Sequence, residues 1–344
     1  MSQPVTLLPT AVKDCGTKPA WKRELAEAET SAINLLERLK LSEHRDIITS
    51  STEFRCLVTD SYIAKMVPGD IDDPLLLQVL PMQGEVLSPL QERGLPDPVG
   101  DLNAQVSPGI LHKYKGRALL ITTGACAIHC RYCFRRHYPY PHASYSNRHL
   151  QETLEHLRKH DDIDEVILSG GDPLVLCNER LAFLIEQLEP LSQLTTLRIH
   201  SRLPVVLPER IDEDLVRILG KTRLQVVIVI HCNHARELQQ SEQARLAALK
   251  DAGISLLNQS VLLRGVNDNA EDLIALSKRL FACHTLPYYL HMLDPTRGAM
   301  HFHVDTQRAL DIHRCLTDRL PGYLVPRLVR EQPGMTSKTA ISRI

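Results

Sequence analysis

From residue 117 onward the sequence repeats one pattern six times, a short apolar run followed by an amphipathic, charged stretch. The runs RALLITT (117–123), DEVILSG (164–170), TTLRIHS (195–201), LQVVIVIH (224–231), ISLLNQSVLL (254–263) and YYLHML (288–293) are predicted strands. The stretches 147–160, 178–189, 211–220, 235–252, 269–282 and 305–319 are predicted helices. Strands that are apolar along most of their length belong to a parallel sheet buried on both faces. Consecutive β-α units of this kind either curl into a barrel or wind into an open α/β sheet. In parallel barrels the chemistry collects at the C-terminal ends of the strands. Here those ends carry Gly124, the run from Ser169 to Asp172, His200 to Arg202, His231 to Asn233, and Asp294.

The remaining segments lack this alternation. TSAINLLERLKL (30–41) and PLLLQVLPM (74–82) read as helices, with breaks in GLPDPVG (94–100). The expectation is a mainly helical N-terminal region over 1–110, a core over 111–320 and a short tail over 321–344. A formal net charge of −1 gives no reason to expect nucleic acid or a membrane as partner. No apolar run reaches membrane-spanning length, and the N-terminus lacks the plan of a signal peptide, so the cytoplasm is the expected location.

That compartment bears on the nine cysteines. Cys15, Cys56, Cys177, Cys232, Cys283 and Cys315 are scattered, and a reducing setting makes them small buried hydrophobes rather than disulfide partners. Cys126, Cys130 and Cys133 form a cluster in TTGACAIHCRYCFRRHYPY (122–140), directly after the first strand. A structural zinc site closes with four ligands. Here the next cysteine is Cys177, so zinc would need His129 or His137. A four-iron cluster on three thiolates instead leaves one iron open to a small chelating molecule.

The spacing C-x3-C-x-aromatic-C, with Tyr132 as the aromatic, resembles that of the radical S-adenosylmethionine superfamily. The resemblance implies a [4Fe-4S] cluster on the three cysteines and S-adenosylmethionine on the open iron. SGGDP (169–173) is similar to the glycine-rich motif that holds the methionine amino group of that cofactor. Gly170 and Gly171 permit close backbone approach, and Asp172 brings negative charge.

A closer likeness covers roughly residues 75 to 340. HKYKGRALLITTGACAIHCRYCFRR (112–136), LSGGDPL (168–174), RLPVVLPERI (202–211), NQSVLLRGVNDN (258–269) and PGMTSK (333–338) resemble the lysine 2,3-aminomutase family. The resemblance implies an α/β fold, a partial (βα)6 TIM-like radical SAM barrel with a helical N-terminal extension and a short C-terminal cofactor-binding tail. It implies pyridoxal 5′-phosphate as a further cofactor and L-lysine as substrate. Within the family the chain is short, lacking a long C-terminal extension. By family position, Lys338 is the Schiff-base lysine, although one glycine followed by Met-Thr-Ser replaces the usual glycine run. Its chemistry asks for an accessible neutral amine, hence burial or cationic neighbours. Arg117, Lys113, Tyr114 and Gln259 fall at cofactor-contact positions, with Lys113 replacing an arginine. Arg135 matches the arginine for the substrate carboxylate. Asp294 and Glu331 match the acidic pair for the ε-ammonium, with Glu331 replacing an aspartate.

CRYCFRRHYPY resembles the branch that makes (R)-β-lysine for elongation factor P. This implies a lysyl-ligase as recipient of the product and a reductant such as flavodoxin or ferredoxin. Three rival readings differ in their residues. A glutamate mutase would carry neutral or basic groups at 294 and 331. A radical enzyme without pyridoxal phosphate would not need Lys338. A zinc-bearing binding module would need a fourth ligand near the cysteines.

Overall fold

Each of the six predicted strands forms, and each is followed by its helix. The computed structural model describes residues 19–49, 51, 53–140 and 147–342. The chain enters through two short helices, α1 (Ala20–Ala26) and α2 (Ala32–Arg38), the second capped by the Ser31 hydroxyl, which accepts the Asn34 N–H. Single helical turns follow at Asp60–Ile63, Pro74–Leu77 and Gly84–Leu87. The helix predicted over 74–82 is thus cut to one turn. Pro81 lies ahead of it, offers no N–H and disfavours helical backbone in the residue before it.

Two unpredicted strands precede β3 (Arg117–Thr123): β2 (Ile110–Tyr114) runs antiparallel against it, and β1 (Gln105–Ser107) runs antiparallel against β2. The boundary expected at residue 110 therefore falls at the start of a paired strand. From β3 the chain winds through α3 (Asn147–Arg158), β4 (Glu165–Gly170), α4 (Asn178–Leu188), β5 (Thr196–Ser201) and α5 (Glu213–Lys221). It continues through β6 (Gln225–Ile230), α6 (Gln240–Asp251), β7 (Ser255–Val261), α7 (Ala270–Ala282), β8 (Leu286–His291) and α8 (Thr306–Arg319). The tail adds β9 (Arg327–Arg330), parallel to β8, and β10 (Thr339–Ala340), antiparallel to β9. It supplies a seventh parallel strand instead of trailing off the core.

Asp212, Asn269 and Asp305 cap α5, α7 and α8 by accepting the N–H groups of Leu215, Asp272 and Gln307. The helix predicted over 235–252 is divided. Glu237 takes the N–H groups of Asn233 and His234 on its carboxylate, closing a separate 3-10 turn at Ala235–Glu237. Gln239 is then extended, with φ −103° and ψ −163°, and starts α6 anew.

Neighbouring strands lie about 4.8 Å apart, so β2 and β9, seven steps apart in strand order, would be roughly 34 Å apart in a flat sheet. Yet the Tyr114 hydroxyl, at the end of β2, donates to Glu331, just past β9. Lys113 Nζ lies 3.9 Å from the same carboxylate. The sheet is therefore curled into the expected partial barrel, and β2 meets the end of β9 through side chains.

One apolar core joins Trp21, Leu35 and Leu36 of the N-terminal region to Leu120, Leu168, Ile199 and Ile228 of the strands and to Leu246, Leu276 and Leu316 of the helices. Cys56, Cys232 and Cys283 are buried as expected, Cys177 and Cys315 are half-buried, and Cys15 lies outside the described residues. Among the described residues no helix is long and apolar enough to cross a membrane.

The N-terminal region also grips the cysteine loop. Arg131, fully buried, donates Nε and Nη2 to the two oxygens of buried Glu85, both at 2.6 Å, and Arg136 adds a bond to the same carboxylate at 2.9 Å. Removing one member of such a desolvated pair leaves the other charged and unpaired. Glu85→Ala is expected to lower stability by about 3–5 kcal/mol, read by denaturant unfolding. A loss under about 1 kcal/mol would show that the pair is solvated.

Candidate active site

The residues assigned above to the cluster, cofactors and substrate all line one cavity of about 370 Å³ inside the curl. Cys126, Cys130, Cys133, Tyr132 and Arg135 come from the loop after β3. Gly170, Gly171 and Asp172 end β4, Gln259 lies on β7, and Asp294 follows β8. Lys113, Tyr114 and Arg117 come from β2 and β3, and Glu331 and Lys338 from the tail.

The cysteine loop is seated on the two glycines of β4. A Cβ on Gly171 would sit 2.3 Å from the Ala125 carbonyl oxygen, and one on Gly170, at φ +123°, would sit 2.5 Å from that of Thr123. Gly171 N–H donates to Thr123 O at 2.7 Å, and Asp172 N–H to Ala125 O at 2.8 Å. The close approach that glycine permits is thus used first by the chain's own loop. Asp172 departs further from expectation. Its carboxylate takes the Ser201 hydroxyl at 2.7 Å and the N–H groups of Leu174, Arg202 and Leu203. With its acceptor positions engaged, it fixes the end of β5 and is not a free charge for a ligand.

The thiols suit a cluster. Burial pushes Cys133 up to about 11 and Cys126 well above the usual thiol range, so a metal has to displace their protons. His129 and His137, the zinc alternatives, turn ring nitrogens to the carbonyls of Arg55 and Arg297 at 2.9 and 3.1 Å. Among the described residues the three sulfurs do not converge closely enough to share a single ion. A [4Fe-4S] cluster, with one iron per thiolate, does not ask that of them.

Arg202, a strand-end residue given no role above, joins this loop to the N-terminal region. It donates to Cys130 Sγ at 2.8 Å, Gln78 Oε1 at 2.7 Å, Glu237 Oε2 at 3.0 Å and the Tyr62 hydroxyl at 3.1 Å. Burial opposes its charge, but Cys130, Tyr132, Tyr62 and Glu237 hold the proton on it. A guanidinium on a ligating sulfur is a lever on cluster potential.

The opposite end is built around Asp101, another residue the motifs did not mark. Its carboxylate meets Arg135 Nε at 2.6 Å and Lys113 Nζ at 2.5 Å. Burial works against its charge, and the two cations more than offset it, so its carboxyl lies below the ordinary range. Lys113 also donates to Val99 O at 2.7 Å and is therefore not a free phosphate ligand. Arg135 gives Nη1 to the Ser169 hydroxyl at 3.0 Å, leaving Nη2 as the nitrogen not so engaged. Arg117 lays its guanidinium over the Tyr114 ring at 4.6 Å and forms no salt bridge among the described residues, which suits a phosphate.

Glu331 and Lys338 face each other because of strand register. Thr339 pairs with Arg330, so residues 331 and 338 are the first opposed pair of the connecting loop, whose turn is made by Pro333 and Gly334 at φ +80°. Lys338 Nζ lies 2.6 Å from Glu331 Oε2. The lysine thus has an acidic partner where burial or cationic neighbours were expected. Burial opposes the Glu331 charge, but Lys338, Tyr114 and Lys113 hold its carboxyl below the usual range. Asp294 is the contrary case. Its Oδ1 is buried with no hydrogen-bond partner, and burial pushes the carboxyl up to about 7 despite Lys338. Gln259 Nε2 donates to His231 Nε2 at 2.8 Å, which fits a neutral ring, since burial pushes His231 down to about 3. His200 and His291 each bring a buried, unpaired Nε2 to this cavity.

A curled parallel sheet with three thiols in the loop after its first parallel strand is the architecture of the radical SAM superfamily, whose sequence pattern matches residues 120–277. The chain is 44% identical over 325 residues to the L-lysine 2,3-aminomutase of Escherichia coli strain K12, covering 93% of this chain and 94% of that one. Identity to the L-lysine 2,3-aminomutase of Haemophilus influenzae is 42% over 322 residues, covering 93% and 94%. For that of Clostridium subterminale it is 32% over 304 residues, covering 88% and 72%. The chain belongs to the lysine 2,3-aminomutase family.

The glycine seat gives a direct test. Gly171→Ala places a Cβ inside contact distance of loop backbone and has to displace the cysteines. It is expected to retain less than about a tenth of the iron and acid-labile sulfide of the parent after anaerobic reconstitution, with its melting transition preserved. Full iron loading would show that the loop yields without losing its ligand geometry.

Proposed function

We propose that the chain is an isomerase, an L-lysine 2,3-aminomutase that converts (S)-α-lysine to (R)-β-lysine. Asp294 carries this reading. A buried carboxylate oxygen without a donor calls for a cationic one, and the ε-ammonium of lysine is such a group. Glu331, coupled to Asp294 electrostatically, adds a second negative charge. A substrate ending in a carboxylate would be repelled by both. The α-carboxylate of lysine has Arg135 to meet, at the edge left open by Asp101 and Ser169.

Cys126, Cys130 and Cys133 would hold the [4Fe-4S] cluster, with Tyr132, Gly170 and Gly171 lining the space for S-adenosylmethionine. Arg117, Tyr114 and Gln259 would contact pyridoxal phosphate, Lys338 would bind it covalently, and Lys113 would act by fixing Asp101. When bound, these groups supply a radical that removes hydrogen from C3 and a conjugated carrier across which nitrogen passes from C2 to C3.

The chain's own part is charge placement and shielding. Lys338 has to leave Glu331 before its amine can act, and its departure uncovers an anion beside Asp294. The substrate ammonium then replaces the lysine ammonium at the acidic pair. The two edges of the barrel, joined at Glu331, keep water from the reacting carbons. The electron donor is a small carrier of the flavodoxin or ferredoxin type, and the product passes to a lysyl-ligase acting on elongation factor P. The recipient rests on the branch resemblance of CRYCFRRHYPY, and the donor on the one-electron chemistry that the superfamily resemblance implies.

The reading is tested anaerobically with reconstituted protein, pyridoxal phosphate, S-adenosylmethionine, a reductant and L-lysine, with products separated by chiral chromatography. (R)-β-Lysine is expected from the parent and none from Lys338→Ala. Deoxyadenosine without β-lysine would place the substrate elsewhere.

Asp294 also predicts a pH dependence. A carboxyl raised to about 7 is charged above that pH and neutral below it, so it can pair with an ammonium only on the alkaline side. The kcat/KM for lysine is expected to fall as pH drops through about 7. Asp294→Asn should lower kcat/KM at least about thirtyfold at pH 8 and remove that limb of the profile. An unchanged acid limb in the variant would assign it to another group.

A further inference from the structure

Three histidines that the cavity does not use come together between β2 and the C-terminal end of α3. His112 lies between Leu111 and Lys113, whose side chains line the cavity, so strand alternation points His112 to the opposite face. His156 lies in the last turn of α3, and His160 sits two residues past its end, turned back so that its N–H donates to Leu157 O. Their rings stack with centroids 4.1 Å apart, and the His112 ring stands edge-on to both, at 5.5 and 5.6 Å. One ligand atom from each residue lies within 4.8 Å of the other two, and all three residues are half-buried.

We propose that His112, His156 and His160 bind one divalent ion of the zinc class, with water completing the coordination. Bonds of about 2.0–2.1 Å to imidazole set neighbouring nitrogens of a tetrahedron about 3.3 Å apart. His156 Nε2 and His112 Nδ1 already stand 3.4 Å apart. His160 turns Nδ1 to the His156 carbonyl at 2.8 Å, which leaves Nε2 as its ligand atom. A ligating histidine whose other nitrogen is held by a backbone carbonyl is oriented for its metal in this way. A set of three imidazoles selects zinc, nickel or copper over magnesium or calcium, which require oxygen ligands.

The ion would be structural. It would clamp β2 to α3 from outside the barrel, and β2 is the strand that delivers Lys113 and Tyr114 to the cavity. The site is independent of the reaction proposed above.

The test uses the full chain with its iron–sulfur cluster loaded, so that the cysteines are occupied, after anaerobic treatment with a chelator. Zinc chloride is titrated by calorimetry. One ion per chain is expected, with affinity reduced more than about tenfold in both His156→Gln and His160→Gln. Zinc at about a hundred times Kd should raise the melting temperature of the parent by roughly 3 °C and leave the variants unmoved. X-ray absorption at the zinc edge should show only nitrogen and oxygen neighbours. Equal affinity in parent and variants, no saturable binding, or a sulfur shell at about 2.3 Å would overturn the proposal, the last by placing zinc on the cysteines. Melting of each variant without zinc reports whether it has folded, and His112→Gln replaces any that has not.

Discussion

The barrel is closed by one carboxylate. Glu331 takes the Tyr114 hydroxyl from β2 and the Lys338 ammonium from across its own loop, with Lys113 3.9 Å away. No backbone ladder joins β2 to β9, and this half-buried cluster links the two at the cavity. Closure and chemistry are therefore the same contact. The departure from the usual aspartate acquires a physical meaning. Glutamate is one methylene longer, and at this position it spans from the tail to Tyr114 while still reaching Lys338. Lys113 in place of an arginine fits the same geometry, since its single ammonium sits between Asp101 and Glu331 where a planar fork would be engaged differently.

Around this closure the cavity sorts its charges into those that are spent and those that are not. Asp172 and Asp101 are buried carboxylates surrounded by donors, and they act as frame. Arg202 is a buried guanidinium divided among four acceptors. Asp294 and the unpaired nitrogens of His200 and His291 are left over, and these leftovers show where a ligand must supply partners. Buried polar atoms are rarely abandoned in a folded chain, because each costs roughly 1–3 kcal/mol. Asp294, His200 and His291 all line the cavity, where a bound ligand could supply what they lack.

The βα core was legible because its period is regular. Six strands and their helices stand within a few residues of where the alternation puts them, and the thiol loop follows the first parallel strand as its spacing implied. What escaped has local causes. The strands RLVR and TA are too short and too polar to show a period, so β9 and β10 merged with the tail. The division at Gln239 depends on Glu237 turning back to its own cap, a tertiary choice within an otherwise helical run. Asp101 sits in a loop of ordinary turn residues and becomes a hub only when β2 brings Lys113 to it. Lys338 was singled out through family position alone, and its register with Glu331 could not be foreseen without the hairpin.

The segments that escaped are also the ones that make the barrel specific. Repeating βα units supply a frame with a mouth and cannot by themselves distinguish one substrate from another. The cysteine loop is held from the N-terminal side, by Glu85 on Arg131 and by Gln78 on Arg202. The lysine end is held from the C-terminal side, by the β9–β10 hairpin. In the proposed reaction Lys338 would not be able to neutralise Glu331 and carry the cofactor at the same time. Once Lys338 is taken, Glu331 and Asp294 are left as two neighbouring carboxylates in a buried site, an arrangement that like charges disfavour unless a cation arrives. On the proposed reading, loading of the cofactor would itself make the cavity receptive to an ammonium, with charge balance at these two residues setting the order of events.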